Sequence, residues 1–207
     1  MSSPLSMNEL RTYAGEQGDQ RVARRRQQLL DAALETLGSS DGGSLSVRGV
    51  CREAKLTARY FYESFASADD LVAATYDGVI DEIMATASAA FAKPTKITDR
   101  VRAAVAAIVD LIDGDRRKGR LLFSQSLVSP TLANRRFAAT QKLAEITAQS
   151  AASIKNSASP ADVAAAYYRV GGLANLLAAW LDDHVELSRD ELIDSCTALL
   201  IGDQGSQ

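Results

Sequence analysis

Apolar residues recur along this chain with the period of a helix, and no run alternates with the period of a strand. Leu30, Ala33, Leu34 and Leu37 fall at i, i+3, i+4 and i+7, one stripe on a helix that begins near Arg21 and stops at Gly38 and the polar stretch after it. Val47, Val50, Cys51 and Ala54 form a second, shorter face, with Ser46 placed to cap it and Leu45 to staple onto Val50. Lys55-Leu56 reads as a tight turn. Thr57 then starts a helix of barely two turns on which Phe61 and Phe65 share a side. Ser67, with Asp70 three residues on, opens a long helix to about Phe91, stopped before Pro94.

The remainder continues in the same way. Helices are expected from about Thr98 to Asp113, from Arg116 to Leu127 and from Pro130 to about Asn156. Ser159-Pro160-Ala161-Asp162 supplies a cap, a first-turn proline and an acidic third residue for a helix reaching Asp183. Ser188 and Glu191 form a capping box for a last helix that ends at Gly202. The reading is therefore all-α. A polar tail (1–20) precedes a small three-helix domain (21–66), and a larger helical domain (67–207) follows, with the Ser67 helix shared between them. Two short helices across a tight turn, braced by a longer one, are the layout of a helix-turn-helix.

Composition changes this picture in one respect. The net charge of −3 over 207 residues does not suggest a polyanion partner, but its distribution does. Between Arg21 and Arg59, Arg21, Arg24, Arg25, Arg26, Arg48, Arg52, Lys55 and Arg59 outnumber Asp31, Glu35, Asp41 and Glu53, while the chain from Ser67 onward carries an acidic excess. A basic head on an acidic body suits a phosphate surface. For the Arg24–Arg26 run alone, a solvated helix face is an equal reading. Cys51 and Cys196 have no CxxC spacing and no histidine partner, which argues against a disulfide framework, a zinc site or any other metal. Cys51 falls on an apolar face as a small buried hydrophobe. His184 is the only histidine and follows a helix C-terminus. Secretory and membrane-spanning segments are not evident, and a cytoplasmic protein is expected. No nucleotide-binding loop, zinc-protease or nucleophile-elbow motif occurs, so neither an enzyme nor a cofactor is expected.

The stretch from Ser44 to Leu71 resembles the DNA-binding domain of the TetR family of regulators. Ser46 and Arg48 match its second helix. Ala54-Lys55-Leu56-Thr57 matches its turn, Phe61-Tyr62-Glu63-Ser64-Phe65 its recognition helix, and Ser67-Ala68-Asp69-Asp70-Leu71 the start of its fourth helix. Lys55 stands where the family has a turn glycine, and Ala68 where it has a phosphate-binding lysine. The resemblance implies DNA contacts from Ser46, Val47, Arg48, Lys55, Thr57, Ala58, Arg59, Tyr60 and Tyr62. Arg48 is implied at a phosphate or a guanine, Arg59 and Tyr60 at base edges, and the Tyr62 hydroxyl at a phosphate; Tyr62 as a partly buried core residue is the alternative. It also implies an effector cavity, for which the large side chains Tyr76, Met84, Phe123, Tyr167, Tyr168 and Trp180 are candidates against an ordinary core role. Finally, it implies a homodimer built on the last two helices, with Gly171, Gly172, Ala178, Leu192 and Leu199 at the interface. The expected partners are a double-stranded operator and a small, mainly apolar effector. A helical small-molecule-binding protein without operator recognition is the competing class.

Overall fold

In a computed structural model the chain is described over residues 7–39, 45–123, 129–155 and 159–202. Among these residues there are nine helices and no strand: α1 (Met7–Leu37), α2 (Val47–Glu53), α3 (Ala58–Tyr62), α4 (Ala68–Phe91), α5 (Ile97–Gly114), α6 (Arg116–Phe123), α7 (Pro130–Lys155), α8 (Pro160–Leu181) and α9 (Arg189–Ile201). The expected loop after Ser39, the end of the 116–127 segment, Asn156 and the first six residues of the tail lie at least partly outside the described residues. Residues 7–20 are a correction: they continue α1 rather than forming a tail. Half of that stretch is Glu, Leu, Arg, Ala and Gln, which are helix formers even without an apolar stripe.

The sequence signals for helix ends operate as local hydrogen bonds. Ser46 accepts from the Gly49 amide, Ser67 from Asp70, Ser159 from Asp162 and Ser188 from Glu191. The last two are reciprocal boxes, since Asp162 and Glu191 also accept from the backbone of their cap residues. Thr57 is different: it occupies the cap position of α3, but its side chain makes no capping bond. The turn between α2 and α3 is a Schellman motif. The Leu56 amide reaches the Cys51 carbonyl at 2.9 Å, and the Lys55 amide reaches Arg52 at 3.2 Å. That geometry requires a left-handed residue after the cap, and Lys55 has φ 55°. The same motif closes α8, with Asp183 at φ 57° and the His184 amide bonded to Ala179.

Two apolar clusters share one helix. The smaller joins Leu29, Ala32 and Ala33 of α1, Val50 and Cys51 of α2, Phe61 of α3, Phe65, and Leu71 of α4. The larger takes Val72, Tyr76, Val79 and Ile83 from the same α4, then residues of α5, α6, α8 and α9. Consecutive residues Leu71 and Val72 thus enter different cores. Leu37, the last residue of α1, is buried in the larger one. Fully burying a side chain of this size contributes about 1.5–3 kcal/mol, so shifting α4 relative to either cluster would cost several such terms. Outside the cores, ion pairs tie α5 to α9, Arg102 to Asp194 at 2.6 Å and Arg189 to Asp110 at 2.7 Å. Exposed pairs of this kind contribute about 0–1 kcal/mol each.

The left-handed Lys55 generates an expectation. A side chain at φ near 55° opposes this conformation by roughly 1–2 kcal/mol, part of which glycine returns through its freer unfolded chain. Lys55→Gly is expected to raise stability by about 0.5–1 kcal/mol. Urea denaturation would show this as a higher midpoint at unchanged slope; an unchanged or lower midpoint would mean that lysine carries no strain there.

Candidate DNA-reading face and effector cavity

The helix-turn-helix presents its polar residues outward because Phe61 is wholly buried and Phe65 nearly so. With that side of α3 fixed, Thr57, Ala58, Arg59 and Tyr62 are left exposed, as are Ser46, Arg48 and Lys55 around the turn, while Val47 is half-buried. Tyr62 is 61% exposed and meets Phe61 edge-on at 5.3 Å between ring centres, so it is a surface tyrosine and not a core one. Arg59 rests against Glu63 at 3.3 Å with 85% of its side chain in solvent. Tyr60 is half-buried with the Arg25 guanidinium 4.2 Å above its ring, and Arg25 also reaches Glu63 at 3.5 Å. Packing therefore accounts for Tyr60 more fully than its sequence position suggested. Arg26 lies over Phe65 at 4.9 Å. Two arginines of the α1 run thus serve to lock α3 against α1, a role that charge counting did not separate from solvation. Cys51 is buried, and burial raises its thiol above the ordinary range. Burial also pushes Cys196 up to about 11. Both remain protonated thiols at neutral pH and serve as small hydrophobes.

The larger domain encloses a cavity of about 630 Å³ between α4, α5, α7 and α8, with α6 at one end. That is within the range of small-molecule sites, about 300–1,000 Å³. Tyr76, Met84 and Phe123 line it, and so does Phe91. Tyr167, Tyr168 and Trp180 do not. Tyr168 is 83% exposed and Tyr167 is also on the surface. Trp180 is buried in the core with its indole N–H bonded to the Leu187 carbonyl at 2.9 Å. Aromatic spacing alone does not distinguish the inner from the outer side of an α-helix that is apolar on both. The lining also holds two residues that the sequence reading passed over, Arg136 and Arg169. Their signal was present: Arg136 is in helical register with Leu132, Ala139 and Leu143, and Arg169 with Ala166, Val170 and Leu173. A cation on an apolar stripe is worth noting for that reason.

The candidate interface residues separate in the same way. Ala178 is half-buried and lines the cavity, and Leu192 is wholly buried in the core and is not a surface residue. Leu199 is 69% exposed. Gly171 and Gly172 have no atom within 4 Å of where a Cβ would stand. Ala164, Tyr168, Gly172 and Asn175 form an exposed stripe along α8.

Between the two regions lies a joint that the sequence did not reveal. Gly38 ends α1 against α6, so close that a Cβ there would fall 2.6 Å from the Arg117 Cα and carbonyl oxygen. Arg117 reaches Glu35 of α1 at 2.6 Å and Asp115 at 2.8 Å, and Arg120 donates to the Gly38 carbonyl at 3.3 Å. The hydrogen bond from Arg117, ahead of its charge, holds Asp115 below the usual carboxylate range, and Asp115 and Glu35 in turn raise Arg117. Among the described residues no group of three His, Cys, Asp or Glu could hold a metal ion, and no helix is long and apolar enough to cross a membrane.

Solved structures share this architecture. The fatty acid degradation regulator FadR of Bacillus halodurans superposes with TM-score 0.72 at 13% identity, over 88% of this chain and 97% of its own. A TetR-like transcriptional regulator of Rhodococcus sp. RHA1 gives 0.63 at 19% identity, over 86% and 93%. AibR, solved with isovaleryl coenzyme A and operator DNA, gives 0.61 at 16% identity, over 85% and 97%. No protein-family model and no curated protein matches the sequence.

The joint generates its own expectation. The atoms that a Cβ at Gly38 would meet are mainly backbone, which cannot swing aside. Gly38→Ala is expected to cost at least the ~1–3 kcal/mol of overpacking. Glu35→Ala, which removes one exposed ion pair, is expected to cost under about 1 kcal/mol. Thermal melts of the two variants check the order, and equal losses would mean that α1 and α6 are not in close contact.

Proposed function

We propose that this chain, which has the all-helical architecture with an N-terminal helix-turn-helix of TetR-type transcription regulators, is a member of that family: a homodimeric DNA-binding regulator, in its simplest form a repressor released from an inverted-repeat operator by a small, mainly apolar effector. One observation carries this reading. A polar, arginine-bearing recognition helix and an apolar cavity are joined by α6, which lines the cavity with Leu122 and Phe123 and grips the end of α1 with Arg117 and Arg120. A helical binding protein without operator recognition would have no need of the exposed Arg48, Thr57, Arg59 and Tyr62. That AibR was solved with a coenzyme A ester and operator DNA together supports ligand and DNA binding in one chain.

The DNA role assigns α3 to the major groove, with Arg59 on base edges and Tyr62 on a phosphate. The Thr57 hydroxyl, not used as a cap, is available to the same surface. The missing lysine at Ala68 is compensated by the charges of Lys55, Arg48 and the α1 arginines. Effector binding would favour a dimer geometry in which the two recognition helices no longer match successive grooves. This is two-state linkage, and the ligand must prefer one state.

Selection of bound fragments from a random DNA library would define the operator, and failure to enrich any sequence would favour the binding-protein alternative. On the selected sequence Arg59→Ala is expected to lose roughly 1–3 kcal/mol and relax preference at one base pair. Tyr62→Phe should weaken all sequences alike. Unchanged affinity in both variants would remove α3 from the groove.

The dimer role assigns the exposed stripe of α8 and Leu199 of α9 to a partner subunit, since apolar groups gathered on one surface mark an interface. Open space around Gly172 makes a sharp test, because a Cβ there meets nothing within 4 Å among the described residues and Gly172→Leu adds bulk on that open side. The wild type is expected to scatter light as a dimer at micromolar concentration. The variant should shift toward one chain at unchanged circular dichroism. A monomeric wild type would overturn the assignment.

A further inference from the structure

The cavity is blind at one end and open at the other, and its polar groups follow that division. The Asp77–Arg135 ion pair at 2.9 Å sets Tyr76 of α4 level with Arg136 of α7. Tyr76 and the α6 residue Leu122 are buried there. Arg136 is already engaged, by the Leu121 carbonyl at 3.0 Å and by a further interaction. The lining residues farthest from this level on α4 and α7 are Phe91 and Ser150, each about four turns on. At that end the wall opens, with Ser88, Ile146 and Ser150 exposed. Asn175 is exposed too, but on the outer stripe of α8.

Arg169 stands at the open end. Its helix neighbours Ala166 and Val170 pack on Ala144 and Ala148 of α7. A Cβ at Gly202, the C-cap of α9, would lie 3.6 Å from the Arg169 Nη2. Arg169 is half-buried and lines the cavity, and among the described residues nothing hydrogen-bonds or ion-pairs with it. The C-terminus of α9 favours a cation beside it, which holds the guanidinium in place with its fork of donors unused. A second guanidinium covers the same end: Arg100 lies over Phe91 at 4.3 Å and donates to its carbonyl at 3.0 Å. No aspartate or glutamate is among the lining residues. The hydroxyls of Thr140, Thr147 and Ser150 turn back on their own helix. An anion at this end meets a cation with no competing carboxylate, and a tail going further in meets a mostly apolar wall.

We infer that Arg169 is the head-group contact of a ligand that seats tail-first, an extended apolar chain whose anionic head stays at the open end. The inference deepens the effector reading above and rests on it. An extended chain suits the shape, since the lining residues Tyr76 and Phe91 are separated by about 22 Å of helix. The tail, not the head, then meets Leu122 and Phe123 of α6. Carboxylate and phosphate heads share this chemistry. The end of α9 that holds Arg169 also repels an anion, so the preference over a neutral head is several-fold rather than a hundredfold.

Calorimetry on the full chain compares dodecanoate, dodecyl phosphate and 1-dodecanol, each below its micelle concentration. At least one anion is expected to bind about five- to tenfold tighter than the alcohol, and the tighter of the two identifies the head group. Arg169→Met should erase that preference while the alcohol still binds, and Arg169→Lys should keep part of it. Because the open end reaches solvent, the preference should shrink as salt is raised from about 0.05 to 0.5 M. Ala139→Phe, one turn from Arg136, fills the blind end; it should exclude tetradecanoate more than decanoate and leave the anion preference intact. No binding, or equal binding of anions and alcohol, would overturn the site. So would a preference that survives Arg169→Met, or one lost with Ala139→Phe, which would put the head at the blind end. Equal weakening of alcohol and anions by Arg169→Met, with a lower melting temperature, would make Arg169 a support for α9 and also overturn it. DNA release is read separately on the selected operator. An anion bound through Arg169 without releasing DNA keeps the site and defeats the switch; release by the alcohol as readily as by the anions keeps the switch and defeats the site.

Discussion

The close approach of α1 to α6 at Gly38 governs how the two parts of this molecule relate. Ion pairs surround the joint, but they are exposed and each contributes about 0–1 kcal/mol. Steric contact is the stronger term, because backbone lies against backbone with no side chain between to yield. A second close approach lies on the same helix, where Gly119 admits the Leu181 side chain of α8. α6 is therefore held between α1 and α8 with little free volume on either side. A packed interior transmits displacement because it cannot compress. Any group that moves α6 must move α1, and with it the helices packed on Leu29, Ala32 and Ala33.

That constraint explains why α4 is not a simple boundary. Leu71 and Val72 anchor it in both clusters, and Leu37 of α1 crosses into the larger core. Between the helix-turn-helix and the cavity there is consequently no flexible linker among the described residues but a pair of rigid helices meeting α6. The short α3 is just as firmly placed. Phe61 and Phe65 fix its inner side, and Arg25 and Arg26 cover Tyr60 and Phe65 from α1. Five residues of helix would not hold their shape alone in water; here tertiary contact supplies the order.

Much of this was legible from the chain alone. Capping residues, proline positions and the apolar period located α2 to α9 within a few residues, because those signals are local, whereas the start of α1 at Met7, which has no apolar stripe, was missed by fourteen residues. The motif from Ser46 to Phe65 was enough to separate the buried Phe61 and Phe65 from the exposed Arg48, Thr57 and Arg59. What the sequence did not carry was the direction of side chains on helices apolar all round. Tyr168 and Tyr76 look alike in sequence, yet one is on the surface and one is in the cavity wall. Leu192 and Leu199 differ by one heptad and point to core and solvent. The Gly38 joint was invisible for another reason: a glycine at a helix end reads as a stop signal whether or not another helix leans on it.

The energy required of a switch is modest beside these contacts. A coupling of about 1–3 kcal/mol changes DNA affinity by roughly 5–150-fold. No exposed ion pair in the joint reaches that alone, and breaking a core would far exceed it. A displacement of α6 that preserves its packing on both sides falls between these limits, because it trades one set of contacts for another. Leu122 and Phe123 expose α6 to whatever fills the cavity, while Arg117 and Arg120 on the same eight-residue helix hold α1. In so short a helix the ligand-facing and α1-facing residues are only about a turn apart. On the proposed reading an effector has no need of a long relay: its differential contact with one position of α6 is already a differential contact with one position of α1 and the helices packed on it.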